Sequence, residues 1–569
     1  AAFALLCSSV AAVGIWKWWG KRQIQKKIED AQRTRDESVK KMAKAVQQFR
    51  EQVPSVQTDV ILSLPLLELT EKLQEGSLSP RTVLYTYLEK ALQVTQQTNC
   101  LRHFIPESEE QLQEIEQRRE KGLLYGIPIS IKDHIGHKGH LSTCGLVHCL
   151  GAPVQEDSVV VKVLKKQGAI PFAMTNVPQS LFNYDCSNPI FGQTVNPFNH
   201  QKSPGGSSGG EGALIAGGGS ILGIGSDIGG SIRLPSSFCG LCGLKPTAER
   251  LRAHLKYPTS SPDHPLQFPC ALGPMARDVD SLVLCMKALL CQELFHLDPT
   301  VPPIPFNDEV YSSSAPLRIG YYDTDGYFLL PPCMRRAVWE TRGALQAAGH
   351  ELVPFSPPRI HHVMTELFLK TFFADGGCAW LDMFTGDIVD PGLKPQVNCC
   401  KIPRLGKKLL ALILKPLFLL LKFKSIVTIS TCRSVKDMWN HHHQIRAYRT
   451  EFITQWRELQ LDVVLCPVLG PAFTTGYPGK LLTAISSTML YNVLNFPAGV
   501  VPVTTVTEAD EEELKLYRGC CDDPWDQMLK QAVAGAVGLP VAVQCVALPW
   551  QEELCLRLMK EVETLSCEK

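Results

Sequence analysis

The run Gly205-Gly206-Ser207-Ser208-Gly209-Gly210, followed by Asp227-Ile228-Gly229-Gly230-Ser231-Ile232-Arg233, restricts what this chain can become more than any other part of it. Glycine lets backbone N–H groups converge without side chains in the way. Such a cluster can hold a developing oxyanion, each donor being worth ~3 kcal/mol in rate, and a serine beside it can attack the carbonyl that becomes the oxyanion. Either run alone also reads as a plain Gly/Ser turn. The third element is Ile127-Pro128-Ile129-Ser130-Ile131-Lys132-Asp133, an apolar strand-like run that carries one lysine into an interior. Burial disfavours the ammonium and lowers the pKa. From ~10.4 it must fall about three units, roughly 4 kcal/mol, for the amine to serve as a base near neutrality. A neutral Lys132 can draw a proton from Ser207, which draws one from Ser231. Run backwards, the relay protonates a leaving amine, without which an amide nitrogen departs badly.

Composition narrows the class. The 569 residues are 45% hydrophobic and 20% charged, the balance of a globular protein, and the formal net charge of +1 gives no reason to expect nucleic acid as a partner. The 21 cysteines are scattered, with adjacent pairs at Cys399-Cys400 and Cys520-Cys521 that suit no disulfide framework. That pattern points to free thiols and a reducing compartment. Cys239-Gly240-Leu241-Cys242 has no second Cys or His pair at metal-ligand spacing, so no metal is expected.

At the N-terminus, residues 1–16 are almost wholly apolar and Lys17, Trp18, Trp19, Lys21 and Arg22 follow directly. No Met opens the chain, and the run falls slightly short of the ~20 residues needed to span a bilayer. Aromatic and basic residues at its end predict a single-pass anchor over residues 1–20, with the bulk of the chain in the cytosol. Residues 21–77 read as a helical connecting region whose thin stripe (Ile24, Ile28, Val39, Met42, Val46, Phe49) belongs to a largely solvated helix.

After Gly126, apolar runs alternate with glycine turns and helical patterns, the texture of a mixed α/β core, so residues 78–569 read as one large catalytic domain. Strands are expected at Val159 to Leu164, Ile170 to Phe172, Leu222 to Gly225, Val463 to Cys466 and Val500 to Val503. The proline-rich Pro302-Pro303-Ile304-Pro305 suits a connector, with an SH3 contact as the alternative. The segment from about 401 to 426 mixes Lys401, Arg404, Lys407, Lys408, Lys415, Lys422 and Lys424 with leucines and phenylalanines, and Pro416 interrupts it. Short apolar helices with basic flanks suit insertion into one leaflet.

Three rival motifs fail on context. Gly205-Gly206-Ser207-Ser208-Gly209 satisfies a nucleophile elbow, but Pro197 and Pro204 precede it where a strand is required. Gly223-Ile224-Gly225 is followed by Ile228 where a dinucleotide fingerprint needs glycine, and no phosphate-binding GK[ST] occurs. His441-His442-His443 reads as a solvated helix face.

The conjunction of Lys132, Ser207 and Ser231 resembles the amidase-signature family of serine hydrolases, with a Ser-Ser-Lys triad, and the likeness runs from about Leu78 to Leu556. Further matches include Gly122-Leu123-Leu124-Tyr125-Gly126, Tyr184-Asp185-Cys186-Ser187-Asn188-Pro189, Gly243-Leu244-Lys245-Pro246-Thr247 and Gly538-Leu539-Pro540-Val541-Ala542-Val543-Gln544. Within the family the chain looks most like the membrane-bound branch that cleaves fatty acid amides. The resemblance implies a twisted mixed β-sheet flanked by many helices, and chemistry without a cofactor. It implies Ser231 as acyl nucleophile, Ser207 as bridging acid/base and Lys132 as base. It also implies an oxyanion hole from the N–H groups of Ile228, Gly229, Gly230 and Ser231, with Leu181 beside it, and a cis bond at Gly206–Ser207. Phe182, Tyr184, Phe372, Phe373 and Trp525 are candidate walls of an acyl channel. The expected partners are a long-chain fatty acid amide and an endomembrane bilayer such as the endoplasmic reticulum; a homodimer is left open. Two departures stand out: Asp133-His134-Ile135 where mammalian members carry Glu-Cys-Phe, and Leu181 where methionine is common. A membrane-anchored lipid-amide binder with an inactive core is the alternative reading.

Overall fold

A computed structural model describes residues 2–252, 270–403, 406, 432–520 and 522–567, with the backbone alone for 2–14, 16 and 17. Among these described residues thirteen strands are formed in chain order: β1 Leu101–Phe104, β2 Pro128–Lys132, β3 Ile170–Thr175, β4 Ser187–Asn188, β5 Gly192–Gln193, β6 Leu222–Asp227, β7 Cys242–Lys245, β8 Ala271–Ala276, β9 Arg318–Tyr321, β10 Glu351–Pro354, β11 Val463–Pro467, β12 Ala498–Thr505 and β13 Pro540–Ala547. Eleven of them make one sheet in the order β1-β3-β2-β6-β8-β7-β12-β13-β11-β9-β10, and β4 pairs with β5 apart from it. The sheet is mixed: β3, β2 and β6 run parallel, as do β11, β9 and β10, while the strands between pair antiparallel.

The central strands are buried on both faces, which requires near-continuous apolar sequence. In β2 the alternation sends Ile129 and Ile131 to one face and Ser130 and Lys132 to the other, and all five residues are buried. Lys132 stands opposite Thr175 of the parallel neighbour β3. The short helix Gly209–Ala216 lies close to β2, β3 and β6, and the helix Arg233–Cys239 follows β6 directly. Both serine-bearing turns are therefore helix entries beside the strand that carries the lysine.

Three sequence expectations are corrected. Val159–Lys166 is a helix, not a strand: the Ser158 hydroxyl accepts from Val161 N–H, and Val160, Val161, Val163 and Leu164 turn inward away from the lysines. The stripe of residues 24–49 is not solvated. Ala2–Gln52 is one continuous helix whose Met42, Val46 and Phe49 are buried on the domain, with Phe49 stacked on Tyr85 at 4.5 Å and Arg50 paired with Glu89 at 2.7 Å. His441 is fully buried rather than solvated; its Nε2 lies 2.8 Å from Thr371 Oγ1, and burial pushes the ring down to about 4.

Among the described residues no helix is long and apolar enough to cross a membrane. The apolar run at the N-terminus forms the first turns of the long helix, where Trp18 and Trp19 are exposed. Of the basic-apolar segment 401–426, only 401–403 and 406 fall within the described residues.

Candidate active site

Lys132 ends β2 with no solvent exposure. Its Nζ lies 2.7 Å from Ser207 Oγ and 2.9 Å from Ser226 Oγ. Burial is the leading influence on the amine and lowers it to about 8, opposed by Cys270 and then Asp227. The peptide Gly206–Ser207 is cis, and Ser207 is buried at the entry to helix Gly209–Ala216. Ser226 is a member of this cluster that sequence reasoning missed. Its signal was its place at the end of a buried strand, next to Asp227.

Ser231 is half-buried, in the turn between β6 and helix Arg233–Cys239. One carboxylate organises that turn. Asp227 accepts Gly230 N–H at 2.7 Å and Ile232 N–H at 3.1 Å, and receives the Arg233 guanidinium through two nitrogens at 2.9 and 3.0 Å. The guanidinium also donates to Thr488 O at 2.8 Å and Gln544 Oε1 at 2.9 Å, and Asn492 donates to Asp227 at 2.9 Å. Asp227 and Arg233 are both wholly buried, and pairing overcomes desolvation to hold the carboxyl well below its usual range. Gly230 has φ +128°, and a Cβ there would meet Thr488 Oγ1 at 2.6 Å, so only glycine fits. The turns are tied together by Ser208 N–H donating to Ser231 O at 3.1 Å. Because Gly230 N–H already serves Asp227, the N–H groups of Ile228, Gly229 and Ser231 are the ones without a protein acceptor among the described residues.

Ser207, Ile228, Gly229 and Ser231 open onto one cavity of about 500 Å³. Its walls are mostly apolar. Phe182 is the hub of an aromatic cluster, with ring centroids 5.2 Å from Phe372, 6.1 Å from Phe373 and 4.9 Å from Trp380. Leu181 and Ser180 line the cavity in left-handed conformation, at φ +58° and +56°, and Ser180 Oγ accepts from Trp380 Nε1–H at 3.2 Å. Tyr184 also lines it and donates to Leu481 O at 2.7 Å. Trp525, on the helix Pro524–Val533, is not among the described residues that line it. Trp380, Ile485 and Met489 take wall positions that the sequence reading did not assign.

The Asp133-His134 departure lies in the wall behind Lys132. Asp133 pairs with Arg102 at 2.8 Å and accepts the N–H groups of Thr143 and Cys144 at 2.9 and 2.7 Å. His134 is buried, and desolvation together with Lys132 holds its ring neutral, well below the usual imidazole value.

A buried lysine on a serine, a second serine at a glycine turn and N–H groups beside it without a protein acceptor stand together at one cavity of an α/β fold. Residues 82–556 match the Amidase family, so the chain belongs to that family. Over 563 residues, 99% of this chain and 96% of the relative, it is 51% identical to the fatty-acid amide hydrolase 1 of Sus scrofa. It is 58% identical over 440 residues, 77% of this chain and 94% of the relative, to the vitamin D3 hydroxylase-associated protein of Gallus gallus. A solved fatty acid amide hydrolase superposes with a TM-score of 0.77 at 25% identity, covering 95% of each chain.

Proposed function

We propose that this protein hydrolyses long-chain fatty acid amides to fatty acid and amine through an acyl-enzyme on Ser231. The observation that carries the reading is the 2.7 Å contact between the fully buried Lys132 amine and Ser207, at the floor of the apolar cavity onto which Ser231 opens. Neutral Lys132 takes the Ser207 proton, Ser207 takes that of Ser231, and Ser231 Oγ attacks the amide carbonyl. The N–H groups of Ile228, Gly229 and Ser231 receive the oxyanion, with Gly230 holding the turn through Asp227. Returned through Ser207, the proton goes to the amine as the C–N bond breaks, and water then releases the fatty acid by the same relay. The aromatic and aliphatic walls suit an acyl tail, and the Sus scrofa relative carries that activity in its name.

Membrane association belongs to the same proposal. The apolar N-terminal turns with exposed Trp18 and Trp19, together with the basic-apolar segment 401–426, would hold the enzyme on an endomembrane with its catalytic domain facing the cytosol.

The test is acid-quenched mass spectrometry of the detergent-solubilised protein during turnover of a long-chain acyl amide. An acyl adduct on Ser231 is expected. An adduct on Ser207 would reassign the nucleophile, and binding with neither adduct nor fatty acid release would leave a lipid-amide binder.

A further inference from the structure

Glu211 lies in the helix Gly209–Ala216, two residues beyond its first, and is wholly buried on the face of the sheet that bears Lys132. Its Oε2 is 2.6 Å from Ser130 Oγ and its Oε1 is 2.8 Å from Thr175 Oγ1. Ser130 is two residues before Lys132 on the same face of β2, and Thr175 is the register partner of Lys132 on β3. One carboxyl therefore clasps both neighbours of the lysine. The fit is close: a Cβ at Gly223 would come within 2.0 Å of Glu211 Oε2. Among the described residues Glu211 has no salt-bridge partner.

The protons can be counted. Ser130 Oγ is also 3.1 Å from Ser220 Oγ, which is 2.9 Å from the carbonyl oxygen of Leu222. The contacts Leu222 O to Ser220, Ser220 to Ser130, Ser130 to Glu211 and Glu211 to Thr175 are four, and the three hydroxyls bring three protons. Ser220 has only its own proton to give to the carbonyl, so Ser130 must donate to Ser220. That leaves the short Ser130–Glu211 contact without a hydrogen unless Glu211 supplies it. A carboxylate here would leave one close oxygen pair unbonded and one charge buried unpaired, both costly.

We propose that Glu211 is a positioning residue held as an uncharged carboxylic acid, which braces the strand face of Lys132 without adding the negative charge that would pin a proton on the amine. The inference rests on the reading of Lys132 as the base. Burial, the leading influence, pushes this carboxyl up to about 7, so below that pH the neutral acid of the proton count is the form present. Lys132 is the titratable group facing it from β2, and the Cys100 thiol approaches between helix Pro80–Thr98 and β1. Cys186 and Cys239 stand against glycines of the same helix and are held protonated by burial, while Asp227 and Arg233 neutralise each other.

The test uses the full chain in detergent, wild type and Glu211→Gln, whose amide reproduces the donor–acceptor pattern of the neutral acid. Infrared difference spectra at about pH 6 read the carboxyl directly, whatever the protein turns over. A deuterium-sensitive carbonyl band of a protonated carboxyl, lost in the variant, is expected. With it, kcat/KM for a long-chain amide at about pH 6, below the range in which this carboxyl ionises, should stay within about threefold of wild type. Loss of carboxylate bands instead of the acid band overturns the assignment. So does a kcat/KM at that pH raised in the variant well beyond threefold, because that marks the removal of a negative charge that had held the proton on Lys132. If Glu211→Gln does not fold, Ser130→Ala takes away the acceptor of the acid proton. The acid band should then shift in frequency, and an unchanged band would refute the contact.

Discussion

At the residue scale the site turns on a lysine that the fold makes expensive to charge. Lys132 is lowered to about 8 by burial first, so between roughly pH 6.5 and 9 its neutral fraction grows as pH rises through that value. Under the proposed relay, which draws on the neutral amine, amide turnover should climb over the same window. Lys132→Ala should flatten that limb and cost amides at least about a hundredfold more than matched activated esters at neutral pH, because esters leave without a proton. Steady-state rates on an amide and ester pair with one acyl chain check this, and equal losses on both would refute the relay. The proximity of Lys132 to Ser207 was legible in the chain, since an apolar run ending in lysine and a serine between glycines are local signals. Ser226 and Glu211 were not, because an ordinary serine and an acidic residue acquire meaning only from the strands packed against them.

At the scale of elements, the long N-terminal helix is the part whose character the sequence concealed. Its inward positions are sparse, and a sparse stripe on a polar helix looks the same whether it meets water or a neighbour. The neighbour was the helix Pro80–Thr98, whose Tyr85 lies flat against Phe49 with both rings largely buried. Phe49→Ala should therefore destabilise the folded chain by about 3 kcal/mol and lower Tm, while the rate per folded molecule stays the same. Thermal unfolding paired with an active-site titration separates those effects. A solvated connecting helix would show no change in either. The misread strand at Val159–Lys166 has a related cause: five apolar residues fit both periods, and the decision lay in the Ser158 cap and the spacing of Lys162, Lys165 and Lys166. The strands β3, β11 and β12 were readable because each is a near-continuous apolar run with turn residues near its ends, and β6 because its apolar start Leu222 to Gly225 is bounded by glycines, as burial on two faces demands.

Across the whole molecule, the sheet brings together segments that are far apart in the chain. Phe182 closes on Phe372, Phe373 and Trp380 to form the cavity wall, a contact between aromatics nearly two hundred residues apart that periodicity cannot foresee. Apolar character says that a side chain is packed, not against what. An acyl tail entering this cavity gains about 0.8 kcal/mol per buried CH₂, so kcat/KM should rise severalfold with each added methylene until the space is filled. Trp380→Ala removes part of the far wall and should lower kcat/KM roughly tenfold on long chains with little change on short ones, as a chain-length series would read. A uniform loss at all lengths would place Trp380 in structural support alone. The groups that contact the reacting centre lie between residues 132 and 233, whereas most of the wall comes from 368–383, 432–438 and 482–489. Reactivity and appetite are thus inherited from different stretches of the same chain. A lineage built this way can retool what it eats by rewriting its second half, leaving untouched the first half that does the cutting.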